Sequence, residues 1–269
     1  MSPLPSLPPS GTPSARERRP VRELPLARLI PNMLTLMALC SGLTAVRFAL
    51  AEQWDKAVLA IVAAAIFDVL DGRVARMMGL ASRFGAELDS LADLVAFGVA
   101  PALTIYFWAL QDIGRFGWLV VLAYTVCMAL RLARFNTMLE DQTAPAWTKS
   151  FFNGVPAPSG AGLALIPLIV FLQWGESAHV PSVFVAVWLL VVGGLLISRL
   201  PTLSLKGRRI SSLWVAPFMV GMGLFFAALI TNTWLTMTVS GGLYLASLPY
   251  AWFLYRRRER QDEKASLTP

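Results

Sequence analysis

Long apolar runs alternate with short polar joints along almost the whole chain. A hydrocarbon core about 30 Å thick takes roughly 20 helical residues to cross. By that measure eight spans fall near residues 29–50, 54–79, 86–110, 115–137, 154–174, 181–199, 212–231 and 234–255. The runs are continuous and lack a period of two, which predicts helices rather than barrel strands. The expected fold is all-α, a polytopic integral membrane helix bundle of about eight transmembrane helices. Residues 1–28 read as a disordered, basic N-terminal segment, 29–255 as the transmembrane domain and 256–269 as a charged tail. Residues 1–15 have no apolar core and do not look like a cleaved signal peptide.

Composition agrees with this pattern, and charge adds an orientation. Of 269 residues, 56% are hydrophobic and only 14% charged, with a mean hydropathy of +0.61; soluble domains carry about 25% charged residues. Of the 23 Lys and Arg, all but Arg47, Lys56 and Arg115 fall in the tails or near the joints on the tails' side. The positive-inside rule makes that side cytoplasmic, with both termini there. Basic ends facing anionic head groups account for the net charge of +7, so membrane lipids and no nucleic acid are expected as partners. Cys40 and Cys127 lie inside spans, where packing is the expected role. The one histidine, His179, falls in an outer joint and reads as solvent-exposed.

One stretch breaks the apolar pattern. Residues 68–93, DVLDGRVARMMGLASRFGAELDSLAD, crowd charges at the end of the second span and the start of the third. Asp68 and Asp71 are three residues apart, and Asp89 and Asp93 four apart, so each pair shares a helix face. Adjacent antiparallel helices then aim four carboxylates into one small volume. Capping and salt bridges explain one or two such acids, not four at these spacings. A divalent cation relieves the repulsion, and hard oxygen ligands suit Mg²⁺, Mn²⁺ or Ca²⁺. Gly72, Ala75 and Gly85 let a bulky group approach the backbone, and Arg76 offers an anion partner. Together these point to a phosphate-bearing ligand.

The positions Asp68, Asp71, Gly72, Ala75, Arg76, Gly85, Asp89 and Asp93 match the signature of the CDP-alcohol phosphatidyltransferase family, which this chain therefore resembles. The resemblance implies a six-helix core with two further spans outside it, and a homodimer. It also implies a centre of Mg²⁺ or Mn²⁺, two ions, held by Asp68, Asp71, Asp89 and Asp93. Asp93 would double as general base, and Gly72, Ala75, Arg76 and Gly85 would line the CDP site. The runs IPNMLTLMALCSGLTAVRFAL (30–50), SRFGAELDSLADLVAFGVAPA (82–102), RLARFN (131–136), FNGVPAPSGAG (152–162) and SRLPTLSLKGRR (198–209) resemble bacterial members that accept serine. The implied reaction is CDP-diacylglycerol plus L-serine giving phosphatidylserine plus CMP, at the cytoplasmic side of the inner membrane.

Arg131 and Arg134 are candidates to bind the serine carboxylate or a lipid phosphate, with Asn136 beside them. Lys206, Arg208, Asn32 and Thr35 are weaker candidates. The signature does not specify the acceptor, so choline, glycerol 3-phosphate and inositol phosphate stay open, although no aromatic box for choline is evident. A cation or proton transporter is the alternative of another class; it predicts acids near the bilayer midplane and broken helices.

Overall fold

The computed structural model describes residues 29–79, 82–140, 151–178, 180–198, 201–203 and 212–267. His179, Lys206, Arg208 and the N-terminal segment before 29 lie outside the described residues. The helices are α1 (Ile30–Leu50), α2 (Trp54–Met77), α3 (Arg83–Ile113), α4 (Arg115–Glu140), α5 (Ala157–Ala164), α6 (Ile166–Trp174), α7 (Ser182–Ile197), α8 (Ser212–Thr231) and α9 (Thr233–Leu267). Each expected span coincides with one helix, except that 154–174 is the pair α5 and α6, bent by 45°. The charged tail continues α9 as helix to Leu267. Among the described residues the sole strands are Phe151–Asn153 and Pro201–Leu203, paired antiparallel with Phe152 opposite Thr202.

Three helices, Ile30–Leu50, Arg83–Ile113 and Arg115–Thr137, are each long and apolar enough to cross a bilayer, and the bent pair makes a fourth if it is one span. Among the described residues, α2 and α7 fall short for local reasons. α2 carries Asp68, Asp71, Arg73 and Arg76 in its last turns, and α7 has only 16 residues. The whole is an all-α membrane helix bundle.

α1 packs along α2 and also touches α3. Its buried positions, Thr35, Ala38, Gly42, Ala45 and Ala49, form one stripe of small residues at helical spacing. At Gly42 an added Cβ would lie 2.7 Å from the Ala96 Cα, so the α1 and α3 backbones meet where only glycine fits. Larger side chains, among them Phe97, Ile105, Met128, Leu168 and Leu189, fill the core between α3, α4, α6 and α7.

Two prolines interrupt helices inside this core, and a neighbouring aromatic side chain answers each. Pro101 has no N–H for the Phe97 carbonyl four residues back; the buried Tyr124 hydroxyl of α4 donates to that oxygen at 3.1 Å. The same stretch of α3 widens into a π-turn at Leu94–Val99. Pro167 likewise leaves the Leu163 carbonyl without its donor, and Trp188 Nε1 of α7 donates to it at 2.8 Å. With no water in the hydrocarbon region, such carbonyls need partners from the protein. Trp188→Phe keeps a ring but removes the N–H, and Tyr124→Phe removes the hydroxyl. Each is expected to cost about 1–3 kcal/mol and to lower the melting temperature in detergent; two variants as stable as the parent would refute this account.

Candidate active site

α2 leaves its helical path at Gly79, whose φ of +63° is the left-handed conformation that suits glycine. α3 then starts from Ser82, which is extended and accepts the Gly85 N–H on its Oγ at 3.0 Å, an N-cap. The last turns of α2 stand beside the first turns of α3.

Carboxylate oxygens of Asp68, Asp71 and Asp89 lie within 4.8 Å of one another. The fourth aspartate, Asp93, is one turn further along α3 and meets Asp68 at hydrogen-bonding range. The four acids expected to converge are thus arranged as a close trio with Asp93 joined through Asp68.

Asp71 is the most enclosed of them, 4% exposed. Its Oδ2 accepts a 2.6 Å hydrogen bond from Thr35 Oγ1, which also reaches the Pro31 carbonyl at 3.1 Å. Short O–H···O contacts of this kind are strengthened by charge on the acceptor. Thr35 therefore fixes the orientation of one carboxylate from α1.

A cavity of about 150 Å³ opens beside the trio, lined by Asn32 and Thr35 of α1, Asp71, Gly72 and Ala75 of α2, and Ser82, Gly85 and Asp89. The small residues matter to its shape. A Cβ at Gly85 would stand 3.2 Å from Asn32 Oδ1 and 3.1 Å from Ser82 Oγ, closing the wall. At Gly72 it would meet only the Arg76 guanidinium, 3.9 Å away, so Arg76 lies back along the same face while remaining exposed. Gly72, Ala75 and Gly85 line this cavity together and present no side chain larger than a methyl.

The arginines of α4 separate into two environments. The charge of Arg131 interacts with those of Asp93 and Asp68, and its guanidinium carbon lies 6.0 Å from the Phe135 ring centre. Arg134 instead donates to the Ile197 and Ser198 carbonyls at 3.0 and 3.2 Å, closing the C-terminus of α7. Asn136 Nδ2 donates to Ser90 Oγ at 2.9 Å, tying α4 to α3 between Asp89 and Asp93. Ser82 and Ser90 are site residues that sequence reasoning missed. The position of Ser82 just before a helical pattern is a readable capping signal, but the contact between Ser90 and Asn136 spans 46 residues and has no local sign.

Three convergent carboxylates form a hard donor set, and the only histidine and both cysteines lie elsewhere in the sequence. That set fits a divalent ion of the Mg²⁺ or Mn²⁺ kind better than zinc or copper. The glycine and alanine wall beside it leaves room for a bulky ligand.

Comparison with known proteins agrees with this geometry. The family model described as CDP-alcohol phosphatidyltransferase matches residues 28–196, which contain α1 to α6 and nearly all of α7. A second, CDP-alcohol phosphatidyltransferase 2, matches 213–249, in α8 and α9. The chain is 42% identical over 236 residues to a CDP-diacylglycerol–serine O-phosphatidyltransferase of Mycobacterium leprae, covering 88% of this chain and 77% of that protein. It is 31% identical over 222 residues to the enzyme of that name from Helicobacter pylori, covering 81% and 88%. Against the one from Bacillus subtilis it is 40% identical over 139 residues, covering 52% and 74%. The matched segment runs through both helices that carry the aspartates and the small-residue wall between them, and the chain belongs to the CDP-alcohol phosphatidyltransferase family, a family of transferase enzymes.

Proposed function

We propose that this enzyme transfers the phosphatidyl group of CDP-diacylglycerol to the hydroxyl of L-serine, giving phosphatidylserine and CMP. The observation that carries the reading is the carboxylate trio beside a cavity walled by Gly72, Ala75 and Gly85. Serine as acceptor is supported by the names of the relatives, which match along most of the chain.

In this reading Asp68, Asp71, Asp89 and Asp93 hold Mg²⁺ or Mn²⁺, two ions. Such a centre supplies charge neutralisation at the pyrophosphate and makes CMP a better leaving group. The chain's own residues do the rest. Gly72, Ala75 and Gly85 admit the CDP moiety close to the backbone, and Arg76 at the rim meets a phosphate. Thr35 keeps the Asp71 carboxylate turned toward the other acids. Asp93 takes the proton of the serine hydroxyl on a carboxylate oxygen; that hydroxyl oxygen attacks the lipid-side phosphorus, and the bond from phosphorus to the CMP oxygen breaks. Arg131, beside Asp93, binds the serine carboxylate or the lipid phosphate. Arg134 has a structural task at the end of α7. Little covalent work falls to the protein, so positioning and charge stabilisation dominate.

The distribution of Lys and Arg supports an inner-membrane protein with both termini and the site on the cytoplasmic side. A homodimer belongs to the same reading.

Purified protein with CDP-diacylglycerol and Mn²⁺ or Mg²⁺ is expected to release CMP only when L-serine is added, and EDTA is expected to stop it. Release driven by choline, glycerol 3-phosphate or inositol phosphate instead would change the acceptor and keep the site. Asp93→Asn is expected to lower turnover by about 10²-fold or more while CDP-lipid binding persists; near-normal turnover would remove Asp93 as the base. Thr35→Val keeps the shape but loses the hydroxyl on Asp71. It is expected to raise the metal concentration for half-activation roughly tenfold, and an unchanged titration would show that Thr35 does not position the ligand.

A further inference from the structure

Among the described residues one buried side-chain polar atom has no hydrogen-bond partner, the hydroxyl oxygen of Tyr244 on α9. A buried hydroxyl without a partner is destabilising, so its persistence calls for a reason. Ser159 of α5 stands beside it, yet no hydrogen bond of acceptable geometry reaches the Tyr244 oxygen.

Its neighbourhood supplies one. Besides its approach to the Phe135 ring, the charge of Arg131 interacts with Asp93, Asp68, Tyr244 and Tyr124. Two of these are the acids placed at the reacting end of the site. Of the two tyrosines, Tyr124 is committed, since its hydroxyl donates to the Phe97 carbonyl. Tyr244 is uncommitted. The guanidinium has Asp93 and Asp68 as its acid partners, while the phenol and the Ser159 hydroxyl alongside are donors with no carboxylate of their own. A carboxylate is the ligand chemistry that satisfies such a set, because each of its oxygens accepts more than one hydrogen bond.

We propose that Tyr244 completes, with Arg131 and Ser159, a carboxylate-binding subsite that holds the amino-acid acceptor and presents its hydroxyl toward Asp93. This rests on the reading of serine as acceptor given above. It gives a task to α9, which lies beyond the segment matched by the first family model. α9 packs on α6, and Leu245 and Leu248 join Tyr244 in contact with the core. The helix is thereby held firmly enough to place a hydroxyl. The subsite selects for a carboxylate on the acceptor, and so for serine over amino alcohols such as ethanolamine that lack one.

The test uses the full chain in detergent with saturating CDP-diacylglycerol and Mn²⁺. Tyr244→Phe is expected to raise the KM for L-serine about five- to tenfold, with kcat and the KM for CDP-diacylglycerol close to those of the parent and the melting temperature equal to the parent's or higher, since the unpaired hydroxyl is gone. L-serine amide, which lacks the negative charge, is expected to lose less than serine does from the same substitution. Ser159→Ala provides a second variant and is expected to raise the serine KM by a smaller factor. An unchanged serine KM in Tyr244→Phe overturns the subsite, and so does an equal loss toward both substrates or a fall in melting temperature without a serine-specific effect. If the parent itself shows no serine-dependent CMP release, the acceptor reading fails first, which is a separate result from an unaltered serine KM in an enzyme that does use serine.

Discussion

Carboxylates crowded at the edge of a bilayer repel one another, so the helices that carry them must be held together by contacts elsewhere. In this molecule α1 supplies those contacts. Its small-residue stripe lies against α2, and at Gly42 its backbone touches that of α3 beside Ala96. About two turns toward the site the same helix sends Thr35 to Asp71, and about three turns along it sends Asn32 to the cavity wall. In a membrane, close packing of small residues replaces the hydrophobic drive that holds soluble helices together. The Asp68, Asp71 and Asp89 oxygens can therefore stand within 4.8 Å of one another because the geometry is set deeper in the bundle, not by the acids themselves. A bulky side chain at position 42 would act on the site from several turns away.

The second half of the fold follows from backbone accounting in a solvent that offers no hydrogen bonds. α3 and the bent α5–α6 segment each contain a proline, and each proline removes a donor that water cannot replace. Tyr124 and Trp188 make good the loss from neighbouring helices, so the kinks also lock α3 to α4 and α5 to α7. Arg134 continues the pattern at the end of α7, where unpaired carbonyls of a helix C-terminus meet a cation. A broken span was one mark of the transporter alternative. Here the break follows from Pro167, and the Leu163 carbonyl that it exposes is already satisfied by Trp188, so it offers no open backbone site for an ion.

What could be read from the sequence divides along physical lines. Apolar runs long enough to cross a bilayer are local signals, and every expected span has its helix or bent pair. The aspartate spacings are also local, since three- and four-residue separations put side chains on one face whatever the surrounding fold. In the fold three of the four acids come together. Less legible were the facts that need two distant segments. The arginines of α4 looked equivalent because they sit one turn apart, yet Arg131 looks toward Asp68 and Asp93 while Arg134 is spent on α7. The bond from Thr35 to Asp71 was within reach of a guess, because Thr35 is polar near the start of an apolar helix; the contact of Ser90 with Asn136 was not.

The two last helices are the part of the chain whose purpose neither spacing nor signature addressed. α8 is apolar and exposed along most of its described length, and α9 packs inward through Trp234, Met237, Tyr244, Leu245 and Leu248. Anchoring alone would be served by any apolar helix, and a phenylalanine would bury at that position without leaving a hydroxyl unpaired. The presence of tyrosine there, close to the one α4 arginine that faces the acids, is a local cost in stability of the kind that active sites carry. The tyrosine pair around Arg131 divides the work in the same way as the arginine pair on α4: one member satisfies the backbone, and the other is left free to meet what enters the site.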